Sequence, residues 1–195
     1  MRPARRPHAA ALPTLEGDGI QLGPWLERDA AADAAALVRL HADPRAMRYW
    51  SSAAWSPEDL RRAQAFLDDV EAGARSGKLL RFAARRPGSP ALVGWVTLFH
   101  IEPPRPRTEM GYLLDPALWG QGLGRRMVGL ALDHAFGAIK VHKVEAEVDP
   151  ENAGSCRLLD ALGFRRDGPL RQGWRADGEP HDTAIYRLAA DEWPI

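Results

Sequence analysis

The residues best suited to chemistry fall in two stretches of the 195-residue chain. The first, TEMGYLLDPALWGQGLGRRM (108–127), runs from a strand through a short loop and ends on glycines at 120, 122 and 124, directly ahead of an amphipathic helix. Glycines let the backbone approach a ligand closely, and the unpaired N–H groups of a helix's first turn point at it. Arg125 and Arg126 add positive charge in that turn, where the helix dipole alone disfavours cations. Together these features describe an anion site; taken alone, the glycines fit a plain helix-starting turn equally well. A nucleotide-binding P-loop needs a Lys-Ser or Lys-Thr pair after its glycines, and none follows here. A dinucleotide-binding turn needs GxGxxG after the first strand of a parallel unit, whereas this GxGxG lies more than a hundred residues in.

The second stretch, VEAEVDPENAGSCRLLDALGF (144–164), alternates Val144, Ala146 and Val148 with Glu145 and Glu147, so a strand there turns its carboxylates to one face. Asn152 and Ser155 follow at a helix start. Ser155, Leu158, Leu159 and Leu162 make one stripe, and Gly163 supplies a left-handed stop. Cys156 reads as a small apolar residue and not as a nucleophile. His41, His100, His134, His142 and His181 show no ligand spacing, so no metal is expected. Of the tryptophans, those in RAMRYWSSAAW (45–55) are placed as walls of a substrate cleft.

The elements that must position these residues follow from periodicity and breakers. A first strand begins near Ile20, and residues 29–41 make an Ala-rich helix. A second helix is predicted from Ser56 to about Ala72, with Ser56 as cap and Pro57 at its first position. Strands at 79–85, 91–99 and 107–114 form an antiparallel meander. Then come a helix over 122–138, a strand at 141–148, a helix over 152–162, and strands at 164–171 and 183–188. Residues 1–17 are expected to be a disordered tail, and 18–195 a single domain. Hydrophobic residues make up 45% and charged residues 27%, the globular range. Lys+Arg and Asp+Glu are both 26, which argues against electrostatic binding to nucleic acid or to an anionic membrane. One cysteine and no long apolar run suit a reducing cytoplasm.

The two stretches together, with the ending GPLRQGWRADGEPHDTAIYRLAADEW, resemble the GNAT superfamily of N-acetyltransferases, and within it the RimJ/RimL-type ribosomal-protein branch. The resemblance runs in order over about residues 20–193. It implies an α/β fold: a mixed, mostly antiparallel sheet of six to seven strands, splayed between the strands at 107–114 and 141–148, with about four flanking helices. The pantetheine arm of acetyl-CoA is then expected in the gap. The resemblance assigns Leu113 and Leu114 to pantetheine through their backbone, with Leu113 also holding the oxyanion. It gives the pyrophosphate to the backbone of Gly120, Gln121, Gly122, Leu123, Gly124 and Arg125. Trp119 holds the position where the superfamily more often has Gln or Arg; a tryptophan there is usual in this branch. Asn152 is assigned to the arm, Ser155 to the sulfur, and Glu109 or Glu147 to the base. Leu159 stands where some relatives carry a proton-donating tyrosine.

The implied partners are acetyl-CoA and an amine acceptor, for this branch a protein N-terminus, with a homodimer also compatible. An α-amine of pKa about 7.7–8.0 costs only about 0.5 kcal/mol to neutralise at pH 7.4, against roughly 4 kcal/mol for a lysine. A water-relayed carboxylate suffices for such an acceptor. A small-molecule acetyltransferase acting on aminoglycosides, polyamines or amino acids remains open on the sequence alone, as does a non-catalytic CoA-binding module.

Overall fold

The computed structural model describes residues 12–25, 30–50, 52–101, 107–168, 171–174 and 180–194. Nine strands occur among them: β1 (Leu15–Gly17), β2 (Ile20–Gly23), β3 (Leu79–Arg85), β4 (Leu92–Phe99), β5 (Arg107–Leu114), β6 (Lys143–Val148), β7 (Arg165–Arg166), β8 (Arg171–Trp174) and β9 (Pro180–Ala189). The α-helices are α1 (Ala30–Ala42), α2 (Pro44–Met47), α3 (Leu60–Ser76), α4 (Leu123–His134) and α5 (Ala153–Ala161). The sheet runs β1-β2-β3-β4-β5-β6-β9-β7, with β8 also on β9. Every pair is antiparallel except β5–β6. The architecture is the splayed mixed sheet that the family resemblance implies.

The pleat divides the central strands between two cores. Phe82 and Ala84 of β3, Val96 and Leu98 of β4, and Met110 and Leu114 of β5 face one cluster, with Met127, Val128 and Leu132 of α4 and Leu159 of α5. Ala83, Trp95 and Leu113, their neighbours in sequence, face the opposite cluster with Leu37, Leu40 and Ala63 of α1 and α3. The three strands alternate between the cores, with one bulge at Ala84–Arg85 that turns Leu92 to the second cluster and Val93 to the first, and this alternation is why the meander is legible in the sequence.

Four boundaries differ from expectation. Residues 15–17, expected in the tail, form β1 by pairing with β2. The helix expected from Ser56 begins at Leu60. Ser56 to Asp59 is instead a turn, closed by Asp59 N–H to Ser56 O at 3.0 Å and by Ser56 N–H to the Asp59 carboxylate at 2.9 Å. Ser-Pro-Glu-Asp is a good helix start and an equally good turn with Pro at its second position, and here the turn wins. The strand expected at 164–171 is two pieces, β7 and β8, interrupted near Gly168. The helix expected to run to 138 turns π-helical at Ala135–Ile139.

A buried ion pair fastens α1 to the sheet. Arg85 meets both oxygens of Asp33 at 2.8 and 2.7 Å, the two side chains being 8% and 2% exposed, and also donates to the carbonyls of Pro90 and Pro24. Removing one member leaves a buried charge uncompensated, which costs about 3–5 kcal/mol. Asp33→Ala is therefore expected to lower Tm by roughly 6–20 °C for a chain of this length, read by thermal denaturation. A loss under about 2 °C contradicts this account.

Candidate active site

The site begins where two strands part. β5 and β6 pair for only three residues, Arg107 with Lys143, Thr108 with Val144 and Glu109 with Glu145. β5 continues to Leu114 along β4, while β6 continues to Val148 along β9. The facing edges between them beyond Glu109 are unpaired. Which β5 groups face that gap follows from one bond: Asp115 N–H donates to Val93 O at 2.8 Å. In an antiparallel ladder bonded pairs alternate, so Leu113, opposite Trp95, and Gly111, opposite Thr97, also turn their N–H and C=O toward β4. Leu113 N–H is consequently engaged across the ladder and does not face the gap. The groups that do are those of Tyr112 and Leu114, which shifts the expected oxyanion contact by one residue. The Leu114 carbonyl already accepts from Trp119 Nε1 at 2.9 Å.

On one side of the gap lies a cavity of about 710 Å³. Leu113, Leu114, Trp119, Gly120, Gly122, Gly124, Arg125, Asn152 and Ser155 line it, as do Arg45, Arg48 and Arg157. Gly120 and Gly122 hold φ of +75° and +74°, conformations that side chains resist, and Gly122 is the N-cap of α4. No side chain caps that helix, so its first N–H groups are available to a ligand. Gly124 serves a different end: a Cβ there would stand 3.0 Å from Leu158 Cδ1, so this glycine permits α4 and α5 to pack closely. Gln121 and Leu123 contribute no lining side chain; the Gln121 amide donates to Ala117 O at 3.3 Å, and Leu123 is buried in the core. Arg126 turns away to Asp18. Arg45 is paired with Asp43, which leaves Arg48, Arg125 and Arg157 against the single lining carboxylate of Glu151, a charge balance that suits a polyanion. Arg45, Arg48 and Arg157 carry no motif of their own, and only the fold brings them to the loop.

On the other side a cavity of about 770 Å³ takes its floor from one face of the meander. Leu79, Arg81, Trp95, Thr97, Phe99, Glu109 and Gly111 line it, and the ladder register places them on that face together. Glu147, Asp149, His181 and Thr183 line it from β6, the segment after it, and β9. Both candidate bases thus reach one cavity. Glu109 accepts from His100 Nδ1–H at 3.0 Å, while Glu147 is exposed and has no hydrogen bond or ion pair among the described residues. Glu145, on the same β6 face as Glu147, is committed elsewhere: Lys143 and Arg187 each meet it at 2.8 Å, and those cations hold its carboxyl below the ordinary value against the opposing effect of burial.

Three buried polar atoms of this cavity, Trp95 Nε1, His181 Nδ1 and the Tyr112 hydroxyl, make no hydrogen bond among the described residues. Arg81 donates to Thr97 Oγ1 and Phe66 O and lies over the Phe66 ring, but it forms no ion pair among the described residues. Burial pulls its guanidinium below the ordinary value, with Asp69 opposing that from farther off.

Tyr49, Trp50, Tyr112, Asn152 and Ser155 line both cavities, so they form the neck between them. Tyr49 and Trp50 belong to the stretch expected to wall a substrate cleft. Trp55, from the same stretch, instead stacks on His41 at 4.2 Å. Asn152 caps α5, its Oδ1 accepting from Ser155 N–H at 3.1 Å, which leaves its NH₂ for the neck. The Tyr112 hydroxyl is buried beside Ser155 but not aligned in a hydrogen bond with any described residue. Burial pushes it up to about 12, the Ser155 hydroxyl offsetting part of that effect. A buried hydroxyl left unpaired costs about 1–3 kcal/mol, a cost that a bound molecule can relieve. Cys156 is half-buried against the core. No cluster of three or more His, Cys, Asp or Glu able to hold a metal occurs among the described residues, and no helix among them is long and apolar enough to cross a membrane.

A strand gap joining an arginine-lined cavity to a mixed-charge cavity is an arrangement that can bring a phosphate-bearing molecule to a second one. The family model described as acetyltransferase (GNAT) domain matches residues 25–165, and the chain belongs to that family of acetyl-CoA-dependent N-acetyltransferases. It is 27% identical to the uncharacterized N-acetyltransferase p20 of Bacillus licheniformis over 83% of this chain and 89% of that one. Mycobacterium smegmatis RimJ, solved in complex with CoA-disulfide, superposes with a TM-score of 0.79 at 26% identity, covering 94% of this chain and 89% of RimJ. The spermidine N(1)-acetyltransferase of Escherichia coli is 30% identical over 51% of this chain and 52% of its own.

Proposed function

We propose that the protein transfers the acetyl group of acetyl-CoA to the α-amine that begins a protein or peptide chain. The observation that carries this choice of acceptor is a buried donor of the 770 Å³ cavity, Trp95 Nε1–H, which has no partner among the described residues. A peptide start presents a carbonyl oxygen three bonds from its amine and can answer it. A polyamine at neutral pH offers ammonium donors alone and leaves it unanswered.

In this reading the phosphates of acetyl-CoA lie on the α4 N-terminus and the arginines, and the pantetheine arm follows the unpaired edge of β5 past the Asn152 amide. The amine enters from the other cavity and loses its proton through water to Glu109 or Glu147. It attacks the thioester carbonyl, the oxyanion meets backbone N–H groups on the gap edge, and sulfur departs beside Ser155. Thiol release from acetyl-CoA, measured against a panel of peptides, spermidine, an aminoglycoside and free amino acids, tests the assignment. Peptides with a free N-terminus should give the highest kcat/KM, at least about tenfold above spermidine, a difference of about 1.4 kcal/mol. Preference for spermidine overturns the acceptor class. Absence of turnover with every amine overturns catalysis.

A further inference from the structure

We propose that the Tyr112 hydroxyl is a catalytic hydrogen-bond donor to the departing CoA sulfur, acting alongside Ser155. The inference rests on acetyl-CoA occupying the 710 Å³ cavity. Tyr112 is the one ionisable side chain of β5 that opens onto both cavities, because it lies beyond Glu109, where β6 no longer covers the edge. Its ring packs against the α4-side core, which fixes the phenol oxygen at the neck. That oxygen is buried, has no hydrogen-bond partner among the described residues, and stands beside Ser155. The thioester must reach this neck if an amine in the other cavity is to attack it. A lone donor waiting there is matched by a sulfur that gains charge only as the C–S bond breaks.

The chemistry sets what the hydroxyl does. The amine nitrogen forms its bond to the carbonyl carbon, the C–S bond breaks, and the electron pair goes to sulfur. The amine's proton leaves toward solvent through a cavity carboxylate. Tyr112 keeps its own proton. Burial holds the phenol at about 12, whereas a thiol titrates near 8.5, so full transfer to the thiolate runs uphill by roughly three units. A neutral donor of this kind strengthens its bond as charge builds and needs no later reprotonation.

Tyr112→Phe removes one oxygen and keeps the ring in the core. Its kcat is expected to fall about 10- to 30-fold, with the KM for acetyl-CoA changed less than about threefold. A structural role could mimic that, so the deciding measurement uses CoA alone. The thiolate's ultraviolet absorbance is titrated against pH for CoA bound to wild type and to Tyr112→Phe, with calorimetry confirming saturation. Wild type should lower the thiol pKa of bound CoA below that of free CoA, and Tyr112→Phe should raise it back by about one unit or more. Equal values in the two proteins overturn the proposal, as does a wild-type complex whose thiol titrates like free CoA. Failure of wild type to bind CoA overturns the cavity assignment, and this inference with it.

Discussion

Gly122→Val should weaken CoA binding by at least about 100-fold while leaving the protein folded. The residue holds φ +74° at the N-cap of α4, and a Cβ at this position would approach Arg126 Nη2 no closer than 3.9 Å and nothing else among the described residues within 4 Å. The position therefore faces open space, the space assigned to the pyrophosphate. A branched side chain there pushes the phosphates off the first-turn N–H groups. Losing two charge-assisted bonds of about 1.5–3 kcal/mol each amounts to roughly 3 kcal/mol or more, hence the factor. Backbone strain alone predicts a different pattern, and Gly77→Val separates the two. Gly77 has φ +69°, meets nothing within 4 Å, and closes α3 outside both cavities. It should cost stability as Gly122→Val does and leave CoA affinity unchanged. Equal affinity in both variants by calorimetry removes the 120–125 loop from the site.

Glu109→Gln should depress kcat/KM most at low pH and least above about pH 9, where the acceptor amine is already neutral. The direction follows from the amine: below its pKa it must lose a proton before attack, so the loss of a base is felt there. Glu109 is three residues from Tyr112, the nearer of the two residues whose backbone faces the gap, about 10 Å along the strand, so it acts through water. Glu147 lines the same cavity. What favours Glu109 is His100, which touches it at 3.0 Å and is largely exposed, a route by which the proton reaches solvent. A tenfold or greater loss at pH 6.5 that vanishes near pH 9.5 is the expected profile, on the scale typical of positioned acid–base groups. If Glu147→Gln shows that profile and Glu109→Gln does not, the assignments exchange. A flat response in both means that solvent takes the proton unaided.

How much of this is legible in the sequence depends on whether a signal is local. The strands at 79–85, 92–99 and 107–114 announce themselves because each alternates between two cores, and α5 because Asn152 caps it and Gly163 stops it. The three glycines mark the loop, but the sequence cannot say that Gly124 serves helix packing and not ligand approach, since that depends on Leu158 across a helix interface. Arg45, Arg48 and Arg157 are invisible as a set because they are joined only by folding. Tyr112 is hidden differently. In an alternating strand it reads as another core residue, and its significance lies in the missing neighbour strand. Trp95 is the same case, for an unpaired N–H has no sequence signature. The Ser56 boundary fails because cap chemistry and turn chemistry use the same residue types.

The short parallel contact between β5 and β6 also bears on how such a protein changes its trade. Because the strands part after three residues, the two cavities have almost separate sets of walls, with five side chains in common. Substitutions on the meander face, at positions such as 79, 81, 97 or 99, can redraw the acceptor's shape and charge without touching the loop that grips the phosphates. Drift on one side of the neck is thereby insulated from the other. A scaffold so divided can be inherited with one cavity intact and the other rewritten, and this chain is similar both to a protein named for a polyamine and to RimJ.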